Sequence, residues 1–489
     1  MTAPQPVQPA RLTPAHSPDW TPERLRERFE LVRAGRWTVS QTGVAERREL
    51  LRRLAEALKA RRASLAAALA TDLGKSRAEA EVTELHPLLE EVRFARRHLA
   101  RWAAPAAVPG VLSLGLGRSE VVPEARGVSL ILSPWNYPVN LSLAPLIGAL
   151  SAGCPVMLKP SEKAPATAEA LRTLLEEIFP PGLVSVVTGG AGVARSLLEL
   201  PFDHVFFTGS PGGGHHLTPD AASTLASVTL ELGGKSPAIV APDADLRLAG
   251  TRIAWGKFVN AGQTCIAPDY LLAHESVAEP LTAELIRAVE AQYGGPIWQR
   301  RGPDYGRMID AASVARLREA TEQSVRQGAQ VVYGGVFDEA GRYVSPTIVR
   351  NVRPGMALMA QELFGPVLPI VTYRSLDGAL ELVRTLEKPL ALYLFTADPG
   401  TESRVRRETS SGGLVVNSTI IQFVHPRLPF GGVGHSGQGG YHGEASFRAF
   451  SHFRAVTREP LHSPVPSLHP PYGRPLPRLS AWALRKLSE

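Results

Sequence analysis

The stretch Gly127-Val128-Ser129-Leu130-Ile131-Leu132-Ser133-Pro134-Trp135-Asn136 decides how this chain is read. It begins with a short apolar run, Val128 to Leu132, and ends in a polar turn. A helical stretch follows from Val139. A second apolar run, Pro155 to Leu158, leads to a helix predicted from Ala164 to Phe179. Leu183 to Val187 and His204 to Phe207 repeat the unit. Short apolar runs alternating with helical segments predict a parallel sheet covered on both faces, an α/β fold. Ligands bind such sheets just beyond the strand ends. The residues with most chemistry follow the runs: Ser133-Pro134-Trp135-Asn136, Lys159-Pro160-Ser161-Glu162 and Thr208-Gly209-Ser210.

Towards the N-terminus, about Thr21 to Trp102 reads as helices. Leu51, Leu54 and Leu58 fall on one helical face, with Arg52, Arg53, Lys59 and Arg61 mostly on the other. Gly74 is a helix stop and Ser76 a new cap. Residues 1 to about 20, rich in proline and polar residues, predict a disordered arm without the apolar core of a secretory signal. Towards the C-terminus, a second α/β region is expected from about Ser236 to Val433. Its candidate strands are Ala238 to Val240, Val367 to Tyr373, Leu390 to Phe395 and Leu414 to Val416. Seven prolines follow Thr457 and predict an irregular tail.

Bulk properties narrow the function. A chain of 489 residues exceeds one ordinary core and implies two or three domains. Hydrophobic content of 44% and charged content of 20% fit a globular chain. The net charge of +7 is spread without a run of five or six like charges, which argues against nucleic-acid binding. Val139 to Ala152, the longest apolar stretch, is too short and too broken to span a bilayer, and reads as a buried helix. Two cysteines build no disulfide framework, and the histidines show no metal spacing. A reducing cytoplasm is the expected compartment.

Two segments carry candidate chemistry: Leu230-Glu231-Leu232-Gly233-Gly234-Lys235-Ser236 and Gly262-Gln263-Thr264-Cys265. A thiol and a carboxylate on separate turns suffice for covalent chemistry at a carbonyl carbon. Cys265 ends a polar loop. Cys154, between Gly153 and Pro155, reads as a buried small hydrophobe. Local features leave each role open. Glu231 is a general base or the ion-pair partner of Lys235. Asn136 is an oxyanion donor or a turn cap. Lys159 and Glu162 grip a ribose or are an ordinary pair at a helix start. Gly209-Ser210-Pro211-Gly212-Gly213-Gly214 is not GxGxxG. Its place after a strand favours a dinucleotide contact over a plain surface turn.

Taken together, the motifs resemble those of aldehyde dehydrogenases. The matching pieces are Pro134-Trp135-Asn136-Tyr137-Pro138, Lys159-Pro160-Ser161-Glu162, Phe207-Thr208-Gly209-Ser210, the two segments above, Gln361-Glu362-Leu363-Phe364-Gly365-Pro366 and Leu428-Pro429-Phe430-Gly431-Gly432-Val433-Gly434-His435-Ser436-Gly437. Ala254 to Phe258, Cys265 to Tyr270 and Tyr441-His442-Gly443 resemble the class 3 and fatty-aldehyde branch.

The resemblance implies a modified Rossmann cofactor domain (21–233), an α/β catalytic domain (234–434), and a small bridging element made of about 116–126 and 435–456. A Pro-rich tail follows at 457–489. It implies NAD(P)-dependent oxidation of medium- or long-chain aliphatic or aromatic aldehydes, with Cys265 as nucleophile, Asn136 as oxyanion donor and Glu231 as base. Trp135, Lys159, Glu162, Gly209, Ser210, Gly214, Leu232, Glu362 and Phe364 would contact the cofactor. Glu362 would sit at the nicotinamide ribose, and Lys159 and Glu162 at the adenosine ribose. Ile420, Ile421, Phe423 and Val424 would stand near the substrate entrance.

The resemblance further implies a homodimer, while the sequence itself predicts no integral membrane segment. Leu479 to Leu487 is short and carries Arg485 and Lys486, unlike the long apolar ends of membrane-bound relatives. Pro211 and His215 stand where the family usually has Thr and Lys. That alters the expected pyrophosphate contact, while Glu162 favours NAD over NADP. A CoA-acylating enzyme, a reductase running in reverse and a catalytically silent relative are the alternatives, and the set Cys265, Glu231 and Asn136 argues against the last.

Overall fold

The computed structural model describes residues 20–109, 117–294 and 304–460, with 469–470, 481–482 and 485 beyond them. The expected arm, apart from Trp20, and most of the Pro-rich tail lie outside the described residues. So does most of the segment from Leu479 to Leu487.

The opening run forms the strand Ser129–Leu132, at the centre of a six-stranded sheet. Across the sheet the order is Gly437–Gln438, Ser227–Glu231, His204–Thr208, Ser129–Leu132, Val156–Lys159 and Val184–Val186. All pairings are parallel except that of Gly437–Gln438 with Ser227–Glu231. Every residue of the strands Ser129–Leu132 and Val156–Lys159 is buried. That is why they read as continuous apolar runs rather than alternating ones. The helix Asn140–Ala152 packs on this sheet and is buried along its whole length, as expected of the broken apolar stretch.

The N-terminal helices follow the sequence signals. Leu51, Leu54 and Leu58 are fully buried on the helix Val44–Ala60. Gly74 takes φ +66° after the helix Arg62–Leu73, a conformation that favours glycine. Ser76 then accepts the Glu79 N–H at 3.1 Å.

A second sheet has seven strands in the order Gln330–Tyr333, Thr347–Arg350, Val367–Tyr373, Tyr270–His274, Pro237–Val240, Ala391–Phe395 and Gly413–Val416. Only Gln330–Tyr333 runs antiparallel to its neighbour. Tyr270–His274 is central here, yet it was not among the predicted strands. Its apolar part, Leu271 to Ala273, is only three residues long and follows the Cys265 loop after Pro268-Asp269. A third, antiparallel sheet joins Ala106–Val108, Arg118–Ala125 and Ser451–Arg458. The strand Ala106–Val108 was also not predicted, being only three residues long. Among the described residues no helix is long and apolar enough to cross a membrane.

Candidate active site

The Cys265 loop is built by backbone conformation and by one glutamine. Asn260, Ala261 and Gly262 have φ of +53°, +51° and +72° in succession. Left-handed conformation in two non-glycine residues is strained and persists only where the surroundings fix it. Gln263 does much of the fixing. Its Nε2 donates to the carbonyls of Asn260 at 3.0 Å and Arg307 at 2.9 Å, and its Oε1 accepts the Ile309 N–H at 2.8 Å. Tyr393 donates its hydroxyl to the Ile266 carbonyl.

The loop after Ser129–Leu132 is fastened to it twice. Asn136 Nδ2 donates to the Gln263 carbonyl at 3.0 Å, and the hydroxyls of Tyr137 and Thr264 lie 2.6 Å apart. One amide hydrogen of Asn136 is thereby spent and the other is left for a ligand. Asn136 therefore bonds across to the cysteine loop rather than capping its own turn. Cys154 is fully buried behind the sheet, and burial pushes its thiol up.

A buried ion pair that sequence reading missed holds Asn136 from below. Lys75 Nζ binds Glu84 Oε1 at 2.6 Å and the Asn136 carbonyl at 3.0 Å. Glu84 Oε2 accepts the N–H groups of Val139 at 3.1 Å and Asn140 at 2.8 Å, at the start of the buried helix. Glu84 sits in a π-helical turn, Glu81–Leu85, a departure in pitch that no 3.6-residue pattern reveals. Lys75 was visible only as the residue after the Gly74 stop. Removing one partner of a buried pair costs about 3–5 kcal/mol. Lys75→Met is therefore expected to lower stability by that order, measured as the denaturation midpoint. A midpoint equal to the parent's contradicts this coupling.

Glu231 departs from expectation in two ways. It is the last residue of the strand Ser227–Glu231, not part of a turn, and it does not pair with Lys235. Lys235 binds Asp269 at 2.6 Å. Both carboxylate oxygens of Glu231 are buried without a hydrogen-bond partner among the described residues. Burial alone drives its carboxyl well above the usual range. An orphaned carboxylate is costly to bury, and such groups mark functional sites.

Cys265, Asn136 and Glu231 open onto one cleft of about 580 Å³. Trp135, Gly209, Ser210, Glu362 and Phe364 line it too. Trp135 and Phe364 meet edge to face with ring centroids 5.4 Å apart. Cys265 keeps partial exposure, yet protein atoms surround it densely. Burial first, then Glu362 and Glu231, push its thiol up to about 12.

The remaining candidates lie off this cleft. Gly214 and Leu232 pack on each other beneath it, since a Cβ on Gly214 would crowd the Leu232 side chain. Lys159 binds Glu162 at 3.1 Å, and Glu162 lines a neighbouring groove of about 410 Å³ with Thr188 and Gly189.

The cleft wall also carries polar groups and backbone that a ligand could reach. Thr208 lines the cleft, its hydroxyl buried and without a partner among the described residues. Gly212 on its wall leaves open space where a Cβ would stand. Pro211 is the first residue of the helix Pro211–Ser223, where its missing N–H costs that helix nothing. His215 stands on the same helix with its ring 5.6 Å from that of His435.

Fold and cleft together give an α/β protein with a thiol and a buried carboxylate in one cleft, and comparison with known proteins defines the class. The aldehyde dehydrogenase family profile matches residues 7–456, and the chain belongs to that family. It is 43% identical to the 4,4'-diaponeurosporen-aldehyde dehydrogenase of Staphylococcus aureus, over 84% of this chain and 88% of that protein. It is 39% identical to the dimeric NADP-preferring aldehyde dehydrogenase of Rattus norvegicus, over 94% of this chain and 98% of that protein. Its fold matches substrate-bound Staphylococcus aureus AldH with a TM-score of 0.88, at 38% identity over 95% of this chain and 99% of that one. The chain is an NAD(P)-dependent enzyme that oxidises aldehydes to carboxylic acids.

Proposed function

We propose that Cys265, Asn136 and Glu231 divide the oxidation between them. The observation that carries this is the shared cleft, which a thiol lines together with a buried carboxylate that has no hydrogen-bond partner among the described residues. The Cys265 sulfur, as thiolate, adds to the aldehyde carbon and forms the C–S bond. The free N–H of the Asn136 amide and the backbone N–H of Cys265 hold the oxyanion. The bound dinucleotide supplies the acceptor for the hydride expelled as the oxyanion collapses, which leaves a thioester on Cys265. Glu231 takes a proton from water, and the water oxygen attacks the thioester carbon. The C–S bond then breaks, the acid leaves, and Cys265 departs as thiolate.

Glu362, Trp135 and Phe364 would hold the nicotinamide end of the cofactor, Gly209 and Ser210 the pyrophosphate, and Lys159 and Glu162 the adenosine ribose. Gly214 and Leu232 would support that surface from beneath. Medium- or long-chain aliphatic or aromatic aldehydes are the proposed substrates. Ile421 and Val424 are exposed and Phe423 packs edge-on to Phe430, though none of them lines the cleft itself. A relative named for 4,4'-diaponeurosporen-aldehyde is in keeping with that class. A homodimer and a cytoplasmic setting complete the reading; the rat relative is named as dimeric.

NAD is the proposed preferred cofactor. Burial pushes the Glu162 carboxyl up, but its own backbone N–H and Lys159 outweigh this and leave it below the usual range. The group is thus an anion at neutral pH, where a 2′-phosphate would meet it. Steady-state kinetics with both cofactors over a panel of aldehydes tests this. The parent is expected to show the higher kcat/KM with NAD. Glu162→Gln is expected to move the ratio towards NADP by about tenfold, the size of one lost charge repulsion near the surface. A parent that prefers NADP overturns the assignment.

A further inference from the structure

Beneath the turn that carries Glu362 lies a charge cluster that the reaction above does not use. Lys257, near the end of the helix Leu246–Phe258, is fully buried. Its Nζ has no hydrogen-bond partner among the described residues and stands 3.9 Å from Asp269 Oδ1. Asp269 is already occupied. Its Oδ2 binds Lys235 at 2.6 Å, and its Oδ1 accepts the Leu363 N–H at 3.0 Å. Lys235 also donates to the carbonyls of Leu358 at 2.8 Å and Gln361 at 3.1 Å. Arg316 Nη2 donates to the Leu363 carbonyl at 2.6 Å. These bonds hold residues 358–363 in place, and the Glu362 carboxylate lies so close over Gly233 that a Cβ there would collide with it.

Asp269 and the turn are thus held without Lys257. A buried ammonium lacking a hydrogen bond is an expensive way to fill space, and a well-packed apolar residue would do so at no such cost. What it adds is charge. It makes three cations, Lys235, Lys257 and Arg316, around two acids, Asp269 and Glu362.

We propose that Lys257 is a positioning residue for cofactor binding, its buried charge acting with that of Lys235, and against Asp269, to favour the carboxylate form of Glu362 and so strengthen its grip on the ribose beside the nicotinamide. A carboxylate accepts hydrogen bonds from both ribose hydroxyls, whereas a carboxylic acid spends one oxygen as a donor. The electrostatics agree with this geometry. Burial first, then Asp269, push the Glu362 carboxyl up to about 8, while Gly234, Lys235 and Lys257 pull it down. Burial pulls the Lys257 ammonium down to about 8, against the opposing pull of Asp269. Above that value the ammonium is neutral and its influence ends.

The inference rests on the proposed ribose contact of Glu362, and the test separates the two. NADH binding to the full-length enzyme is measured by fluorescence from pH 6.5 to 9.5, without aldehyde. Lys257→Met, which keeps the length of the side chain and removes its charge, is expected to weaken binding about tenfold near pH 7. The difference should close at the alkaline end, because Glu362 ionises about one pH unit higher in the variant. Glu362→Gln should bind weakly with no such pH dependence.

A folded Lys257→Met enzyme with the parent's curve, or one weakened equally at every pH, overturns the proposal. Unchanged binding by Glu362→Gln overturns the ribose contact itself and the inference with it. Lys257→Gln serves as a second variant. Failure of both Lys257 variants to fold makes the residue structural and likewise overturns the proposal.

Discussion

Glu231→Gln enzyme, mixed with aldehyde and NAD, is expected to release about one equivalent of NADH per active site in a burst and then nearly stop. Glutamine keeps the size of the side chain but accepts no proton from water, and general-base catalysis contributes roughly 10²–10⁴-fold. Acylation of Cys265 does not consume that base, so the burst survives while steady-state turnover collapses by about that factor. The pH dependence follows from burial of Glu231, which pushes its carboxyl well above the ordinary range. The base is active only when deprotonated. Hydrolysis in the parent therefore still rises with pH above the range where an exposed glutamate would already be fully active. Stopped-flow measurement of NADH reads both. A variant that loses burst and turnover together places Glu231 in the acylation step and contradicts the division of labour.

Cys265→Ala is expected to lower turnover by at least about 10⁴-fold, because the covalent route is lost altogether and only positioning remains. Cofactor binding should persist, since the groups proposed for it lie on other elements. Cys154 offers no substitute. It is fully buried, its Sγ donates to the Phe450 carbonyl at 3.2 Å, and burial raises its thiol. The Cys265 thiol is itself pushed up to about 12, by burial and then by the two carboxyls facing it, so it is protonated at neutral pH. It acquires thiolate character only when a base takes its proton or a cation approaches. Steady-state rates for purified parent and variant, with folding checked by thermal melting, settle the size of the effect.

The two sheets were legible in different degrees, for physical reasons. The strands Ser129–Leu132 and Val156–Lys159 stand out in sequence because both of their faces are buried. Gly437–Gln438 is two residues long and was invisible as a strand, although it pairs Gly437 with Glu231. The motif residues Cys265, Asn136 and Glu231 could be picked out because short glycine-rich or polar loops surround them. What orders them was not legible. The bond from Asn136 to Gln263 spans 127 positions, and that from Lys75 to Asn136 spans 61. Lys75, Glu84 and Lys257 carry no local mark of burial, since a charged residue in sequence reads as surface. Only tertiary packing shows that they are interior.

The measurement that tests the central claim most directly is intact-protein and peptide mass spectrometry of Glu231→Gln enzyme after brief mixing with aldehyde and NAD. The account predicts an added mass equal to the aldehyde less two hydrogens, carried as a thioester by the peptide containing Cys265. A protein with no adduct after producing a full equivalent of NADH, or with the adduct on Cys154, would contradict it.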